Sequence, residues 1–251
     1  MVVISILTYI VIFMSNNAVF FDFYHGLFYY NIKDTTKAMY MYKTDSTPIE
    51  EEFQAGSQVK RLKNLQSLRL KIKPDDNLNF LSNFTSLEDL ELSAFGAADT
   101  STLDTLPAIP NLKYIYLSFF EKDGMDFSPL GQLTAMEHFT TYDCNIYDWS
   151  FAENLPNLKV IYYINDSYMT DVNWAPLKSA ESLEDFTVSI IYYDRSLLDT
   201  LEKLPSLKSV FIKFYKLENI PEEDGAYIDD WIGRMNEKDI SVQIDSYNPK
   251  I

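Results

Sequence analysis

A short pattern of apolar residues recurs along this chain, and it constrains the fold more than any other feature does. The segment LPNLKVIYYI at 155–164 returns as LPSLKSVFIKF at 204–214 and as LKNLQSLRLKI at 62–72. Each copy approximates the spacing LxxLxxLxL, whose last two apolar positions lie two residues apart, as on one face of a half-buried strand. Aligning the copies by their second apolar position gives seven, at Leu65, Leu87, Leu112, Met136, Leu158, Leu183 and Leu207. One structural unit is therefore repeated along the chain.

The separation between copies identifies the kind of repeat. Successive second apolar positions are 22, 25, 24, 22, 25 and 24 residues apart. A period in the twenties with this spacing is the signature of leucine-rich repeats, and the sequence resembles that family over residues 62–213 and beyond. The segments DFSPLGQLTAME and DVNWAPLKSAESLED also resemble the connectors of the bacterial internalin-like class. The resemblance implies an α/β repeat solenoid, a leucine-rich repeat horseshoe with a parallel sheet on the concave face and irregular or short helical convex connectors.

A polar ladder that the resemblance implies is mostly missing from the sequence. The family usually has Asn, or sometimes Cys, three residues after the last apolar position of the strand, where the side chain bonds the backbone of the adjacent turn. Only Cys144 conforms among the residues found there, which are Lys73, Phe95, Phe120, Cys144, Asp166, Ile191 and Tyr215. We therefore expect aromatic packing to take the place of most of this ladder.

The pattern divides the chain into four segments. They are an apolar N-terminal segment at 1–21, an N-terminal cap region at 22–60, the repeats at 61–215 and a C-terminal cap at 216–251. In the C-terminal cap, Pro221 precedes a helix pattern that places apolar residues on one face, and a short strand pattern follows at 240–244. The residues of that helix face are Ile228, Trp231, Ile232 and Met235.

The N-terminal segment begins with an unbroken apolar run, VVISILTYIVIFM, at residues 2–14. As a helix it would extend only ~20 Å, against a hydrocarbon core of ~30 Å. It has the length of a signal peptide, but its flanks fit poorly because the first basic residue is Lys33. Secretion, membrane anchoring and a buried element that caps the core all remain open. Membrane association is expected only through residues 2–21, and a secreted or cell-surface location is favoured over a cytoplasmic one.

The charge and cysteine content exclude several partners. With 21 Lys and Arg against 37 Asp and Glu, the net charge of −16 repels nucleic acid and anionic lipid, and no local basic patch is evident. The single cysteine, Cys144, excludes an intramolecular disulfide and a cysteine-based zinc cluster. We expect no nucleic-acid partner, no metal site and no cofactor.

Catalytic constellations are also weak. The two histidines are His25 and His138, and the sequence has no Gly-rich phosphate loop and no evident pair of nucleophile and base. His138 and Cys144 are close in sequence, but strand alternation directs the histidine outward and the cysteine inward, so they should not meet. Asp166 and Asp171 offer too few ligands for calcium. We therefore predict no catalytic residues and a protein that is not an enzyme.

The outward strand positions form rows across the predicted sheet. Their ends are charged or small and their centre is aromatic or aliphatic, which suits a protein interface with rings in the middle and polar groups at the rim. An outer row alternates in charge and predicts lateral ion pairs, through Glu88, Lys113, Glu137, Lys159, Glu184 and Lys208. The partner-binding residues predicted at the centre are Tyr114, Tyr116, His138, Tyr142, Val160, Tyr162 and Ile164.

These observations favour a non-enzymatic protein–protein interaction module that binds an unidentified protein partner on its concave aromatic face. The alternative is a structural cell-surface spacer or scaffold, anchored by its N-terminal run. A third interpretation is a carbohydrate-binding surface protein whose tyrosines stack on sugars. The resemblance to internalin-like repeats favours a bacterial, surface-exposed setting for each of them.

Overall fold

The computed structural model describes residues 18–22, 37–42, 62–73, 76–94, 100–215 and 222–245. Within these ranges ten strands form one parallel sheet, and their order across the sheet follows their order in the chain. Each strand thus adds to the edge left by the previous one, as expected of a solenoid. The strands are β1 (Ala18–Asp22), β2 (Ala38–Tyr42), β3 (Ser67–Ile72), β4 (Asp89–Ala94), β5 (Tyr114–Ser118), β6 (His138–Tyr142), β7 (Val160–Ile164), β8 (Asp185–Ile190), β9 (Ser209–Phe214) and β10 (Ser241–Asp245).

Equivalent positions of successive repeats build the inner face of the sheet. From β3 to β9 the residues that pair across neighbouring strands at the first inward position are all buried. They are Leu68, Leu90, Ile115, Phe139, Ile161, Phe186 and Val210. The seven predicted strands and their register are therefore confirmed, together with the leucine-rich repeat solenoid as the fold class.

A tight turn precedes each strand of the repeats. The Leu65 N–H donates to the Leu62 carbonyl at 3.0 Å, and the equivalent bond joins Leu158 to Leu155 at 3.2 Å. The next N–H crosses to the neighbouring repeat, as that of Lys159 does to the Glu137 carbonyl at 2.8 Å. The residues that precede each strand, such as LPN at 155–157, thus form a turn, and the residues after them begin the hydrogen bonds between strands.

Short helical connectors return the chain over the convex side. Three of them start at an Asp-x-Ser sequence, in which an Asp carboxylate accepts the Ser N–H from Ser128 at 2.8 Å, Ser150 at 3.2 Å and Ser196 at 2.9 Å. This local bond satisfies a donor at the start of the helical turn. The connectors are 3₁₀ segments Leu78–Asn83, Ser128–Gln132, Ser150–Asn154 and Ala175–Ser179, with α-helices α1 (Thr100–Asp104) and α2 (Arg195–Leu201).

Aromatic rings fill the core under the central repeats. The Trp149 and Trp174 rings stack with centroids 5.5 Å apart, and Tyr163 meets Trp149 edge-on at 5.3 Å. Phe139 and Phe151 complete this cluster, with centroids 5.4 Å apart. All five side chains are buried, so the expectation of aromatic packing in the repeats holds here.

The expectation of an almost absent polar ladder was wrong in the central repeats. Asn145 and Asn165, each one position away from the expected site, are buried and hydrogen-bonded to each other at 3.1 Å. The Asn165 side chain also donates to the Cys144 carbonyl at 2.9 Å, and that of Asn145 donates to the Glu121 carbonyl. The side chains bridge adjacent repeats as the family ladder does, from positions shifted by one residue. Cys144 contributes its carbonyl to this network.

The C-terminal elements cover the last repeat. Helix α3 (Glu222–Glu237) buries Ile228, Trp231 and Met235 and leaves Ile232 partly buried, as its periodicity predicted. The Trp231 indole N–H donates to the Leu198 carbonyl of α2 at 3.0 Å, and β10 then pairs with β9. The apolar residues of the last repeat are thereby shielded from water.

At the other end, the described N-terminal backbone continues the sheet. Strand β1 pairs with β2, and β2 pairs with β3, with Met39 buried in line with Leu68. The apolar run at 2–14 and most of the cap region, at 23–36 and 43–60, lie outside the described residues. Among the described helices, none is long and apolar enough to cross a membrane.

Replacing Leu158 with alanine tests the repeat register. Leu158 is fully buried, and its truncation should lower the free energy of unfolding by about 2 to 5 kcal/mol through lost apolar contact and a residual cavity. Urea denaturation followed by circular dichroism measures the change. Tyr162→Ala, four residues later on the outward face, is the control and should cost under about 1 kcal/mol. The opposite order of the two values would contradict the assignment of the faces.

Candidate protein-binding surface

The seven predicted contact residues lie together on one face of three adjacent strands. Strand pairing aligns Tyr114 with His138 and Val160, Tyr116 with Thr140 and Tyr162, and Ser118 with Tyr142 and Ile164. Strands of a sheet are about 4.8 Å apart, so β5 to β7 span roughly 10 Å. We call the surface formed by Tyr114, Tyr116, His138, Tyr142, Val160, Tyr162 and Ile164 the concave aromatic surface.

The tyrosines of this surface differ in their exposure. Tyr114, Tyr142 and Tyr162 are 45%, 40% and 42% exposed, which is a large solvent-facing area for rings that lie on a sheet. Tyr114 stacks on His138 with centroids 4.6 Å apart, which fixes the orientation of both rings. Tyr116 is held deeper, and its burial raises the pKa of its hydroxyl. Tyr114, Tyr142 and Tyr162 are thus the rings best placed to contact a partner.

Not every outward position of the sheet reaches solvent. Ser118 and Ser189, which alternate with the inward residues of β5 and β8, are buried. The Ser118 hydroxyl donates to Ser93 at 2.8 Å, so a polar bond joins neighbouring strands beside the aromatic rows. Thr141, on the inward face, has a buried hydroxyl with no hydrogen-bond partner in the described part of the chain.

One edge of the surface is a row of ion pairs, as its alternating charges predicted. Lys113 pairs with Glu88 at 3.6 Å, Lys159 with Glu137 at 2.6 Å and Lys208 with Glu184 at 2.6 Å. The hydrogen bond from Lys159 lowers the pKa of the Glu137 carboxyl, and the same bond raises the pKa of the lysine. These charges largely satisfy one another at the amino ends of the strands.

At the opposite edge, Phe119 enlarges the surface. It is 44% exposed, adopts a left-handed backbone with φ of 64°, and meets Tyr142 edge-on with centroids 5.8 Å apart. Its N–H donates to the Tyr142 carbonyl at 2.9 Å. Strand alternation ends one residue before it, so this ring is not among the predicted residues. The adjacent residues Phe119 and Phe120 could have indicated it. Phe120 points inward and is fully buried, so its neighbour Phe119 points outward.

Asp143 stands beside Tyr142 in an unusual environment. Its φ is 50°, and one of its carboxylate oxygens is buried with no hydrogen-bond partner within the described ranges. Burial first, and then the negative charge of Asp166, raises the pKa of Asp143 to about 6. The charge of Asp143 in turn raises the pKa of Tyr142. Acidic groups therefore gather beside Tyr142 at the carboxyl-end edge of the surface.

The thiol and the histidine lie on opposite sides of the sheet, as alternation predicted. Cys144 is fully buried, and burial raises the pKa of its thiol to about 12, so it is protonated at neutral pH. His138 is on the concave side, stacked on Tyr114. Among the described residues no three His, Cys, Asp or Glu side chains are grouped as metal ligands.

Comparison with known proteins identifies the fold. No family model matches the chain, and no curated protein matches it. The structure of internalin C2 from Listeria monocytogenes is similar with a TM-score of 0.54 and 21% identity, over 84% of this chain and 81% of that one. Human 5T4 (Wnt-activated inhibitory factor 1, trophoblast glycoprotein) is similar with a TM-score of 0.57 and 15% identity, over 85% and 80% of the two chains.

These similarities define the class of this protein as a leucine-rich repeat solenoid. The connectors that resemble internalin-like repeats in sequence belong to a chain whose fold is similar to that of internalin C2. One of the two similar structures is bacterial and the other is human, so the shared fold specifies neither a setting nor a ligand. The function has to be argued from the surface itself.

Replacing Asp143 with asparagine tests its environment. Because the pKa in the folded protein, about 6, exceeds the ordinary 3.8, this group supports folding fully below that ordinary value, and the support is lost as pH rises through about 6. An asparagine side chain tolerates the left-handed backbone and carries no charge. Solvent screens the part of the carboxyl that stays exposed, which reduces the effect. Asp143→Asn should thus raise the free energy of unfolding by about 1 kcal/mol at about pH 7.5, with the gain vanishing at about pH 4.

Urea denaturation at several pH values measures this difference. Asp104→Asn is the matched control. It also removes one negative charge from the chain, but the Asp104 side chain is exposed. Equal pH profiles for the two variants would contradict the role given to burial at Asp143.

Proposed function

We propose that the protein is a non-enzymatic interaction module whose concave aromatic surface binds a protein partner. The observation that carries the proposal is the cluster of Tyr114, Tyr142 and Tyr162, each at least 40% exposed within three neighbouring strands. Exposed rings at the centre of a patch are the groups whose desolvation most often dominates protein binding. The ion-paired edge supplies the polar, solvent-accessible surroundings that such a patch needs.

The geometry limits the shape of the bound segment. The surface covers three strands, roughly 10 Å across, which accommodates one extended strand, helix or loop of the partner. The rings project from a hydrogen-bonded ladder, and His138 holds Tyr114 in place, so little side-chain entropy is lost when a partner binds. The surface is thus suited to contacting an existing structural element of another protein.

Removing two of these rings should strongly weaken binding of the partner. We expect Tyr114→Ala with Tyr162→Ala to weaken binding of the partner at least about a hundredfold, since each exposed central ring contributes on the order of 2 kcal/mol. The experiment is affinity capture by the full chain from cell-surface and culture fractions, followed by calorimetry with the purified partner. Tyr168→Ala removes an exposed tyrosine that lies outside the strands and is the control.

The outcomes separate the three candidate functions. A partner that binds the wild type and the control, but not the concave double variant, supports the proposal. Equal capture by all three proteins, or ordered self-association without any captured protein, favours the spacer. Binding that survives high salt and is competed by a free monosaccharide favours the carbohydrate-binding alternative.

A further inference from the structure

Two exposed rings lie at the carboxyl-end corner of the concave aromatic surface. Phe119 and Tyr142 are 44% and 40% exposed, and their ring centroids are 5.8 Å apart. The Phe119 N–H donates to the Tyr142 carbonyl at 2.9 Å. The N–H of Asp143 in turn donates to the Ile164 carbonyl at 2.9 Å. Bonds between repeats thus fix the backbone under both rings, so a partner meets them already in position.

Three carboxyl groups are gathered around this pair of rings. Asp143 directly follows Tyr142, Glu121 is two residues after Phe119, and Asp166 is on the loop after β7. Burial is the main cause of the raised pKa of Asp143, and the negative charges of Asp166 and Glu121 add to it. The three groups are therefore close enough to repel one another, and a cation held among them would relieve that repulsion. Glu121 and Asp166 are exposed, so a ligand can reach both.

The loops that follow β5, β6 and β7 determine the charge of the ligand. They cover residues 119–127, 143–149 and 165–174, and their one basic residue is Lys122. Their seven acidic residues are Glu121, Asp123, Asp126, Asp143, Asp148, Asp166 and Asp171. The net charge of −16 adds a long-range potential of the same sign. These charges attract a basic ligand and repel an acidic one.

An arginine side chain suits this corner better than a lysine does. The guanidinium is planar, so it stacks on an aromatic face and presents several N–H donors to carboxylates, whereas the lysine ammonium is compact and strongly hydrated. The protein contains such an arrangement elsewhere. The guanidinium carbon of Arg195 lies 3.8 Å from the centroid of the Tyr227 ring, whose hydroxyl donates to the Asp199 carboxylate. The corner offers an exposed ring beside carboxylates, and the three loops contain no arginine.

We propose that the corner formed by Phe119, Glu121, Tyr142, Asp143 and Asp166, here called the acidic corner, holds an arginine side chain of the partner protein. The guanidinium stacks on the exposed face of Tyr142, and its N–H groups reach the carboxylates of Glu121 and Asp166. The rest of the partner segment continues over the neighbouring rings of the concave aromatic surface. That the arginine belongs to a partner protein rests on the proposed function, whereas the affinity of the corner for a guanidinium can be measured on this protein alone.

Titration of the full chain with Nα-acetyl-arginine amide tests the acidic corner, with the NMR signals of the Phe119 and Asp143 backbone N–H groups as readouts. Nα-acetyl-citrulline amide has a planar side-chain group without the charge, and Nα-acetyl-lysine amide has the charge without the plane. At constant ionic strength we expect saturable shifts with the arginine compound, at least about fivefold weaker binding of the citrulline compound and about twofold weaker binding of the lysine compound. No saturable shift with the arginine compound, or equal affinity for either of the other two, would overturn the proposal.

Single substitutions locate the bound guanidinium. Glu121→Gln and Asp166→Asn each remove an exposed carboxylate, so both variants should fold, and each should weaken binding of the arginine compound about threefold. Tyr142→Leu removes the aromatic face but keeps an apolar side chain, and it should also weaken binding about threefold. Asp104→Asn removes one exposed charge outside these loops, so it is the control for net charge and should leave the affinity unchanged. Affinities of the three corner variants equal to that of the control would refute the site.

A captured partner separates this inference from the proposed function. Glu121→Gln combined with Asp166→Asn should weaken binding of that partner about tenfold, the product of two threefold losses. A partner that is lost by Tyr114→Ala with Tyr162→Ala, but retained by this acidic double variant, would overturn the arginine contact and leave the proposed function intact. Saturable binding of the arginine compound at the corner, with no partner captured by the full chain, would support the guanidinium site and count against the proposed function.

Discussion

Each repeat of this protein depends on the parallel backbone ladder that joins it to its neighbours. One repeat contributes a single strand and a short connector, so the inner side chain of one strand is covered only by those of the next. Phe139, for example, lies in register between Ile115 and Ile161. The same ladder holds the outward side chains in register, which is why three separate segments of sequence can form one concave aromatic surface. Stability and surface composition are thus set by one constraint.

The ladder stops at the carboxyl ends of the strands, and there the repeats diverge. Phe119, Asp143 and Asp171 all have positive φ in this region, although none is glycine. Such backbone conformations persist where surrounding bonds determine them, here bonds such as that from the Phe119 N–H to the Tyr142 carbonyl. The asparagine pair, the partly buried carboxyl of Asp143 and a cavity of about 280 Å³ between the loops that follow β7 and β8 all lie at this edge. The regular sheet offers an exposed surface, and the irregular edge offers enclosed sites.

The sequence predicted the regular part of the molecule because its signals are short and repeated. Strand positions and register follow from period-two alternation within a period of 22 to 25 residues, and α3 follows from its apolar face. The buried asparagines were missed because Asn145 lies one residue after the position where the ladder was expected, and Asn165 lies one residue before it. Differences in exposure between Tyr114 and Tyr116 depend on neighbouring strands, and the cavity depends on two loops that are distant in sequence. Neither is visible in a local pattern.

The distribution of charge gives the concave aromatic surface a preference among protein partners. Many of the basic groups are already engaged in ion pairs, including Arg69, Lys113, Lys159, Lys208, Lys213 and Arg234. Acidic groups also lie beside the exposed rings, as Asp143 does beside Tyr142. Aromatic faces and carboxylates both attract cations. The concave aromatic surface should thus favour a partner that presents Lys or Arg. Because such attraction is screened over about 10 Å at moderate salt, raising the ionic strength should weaken this binding.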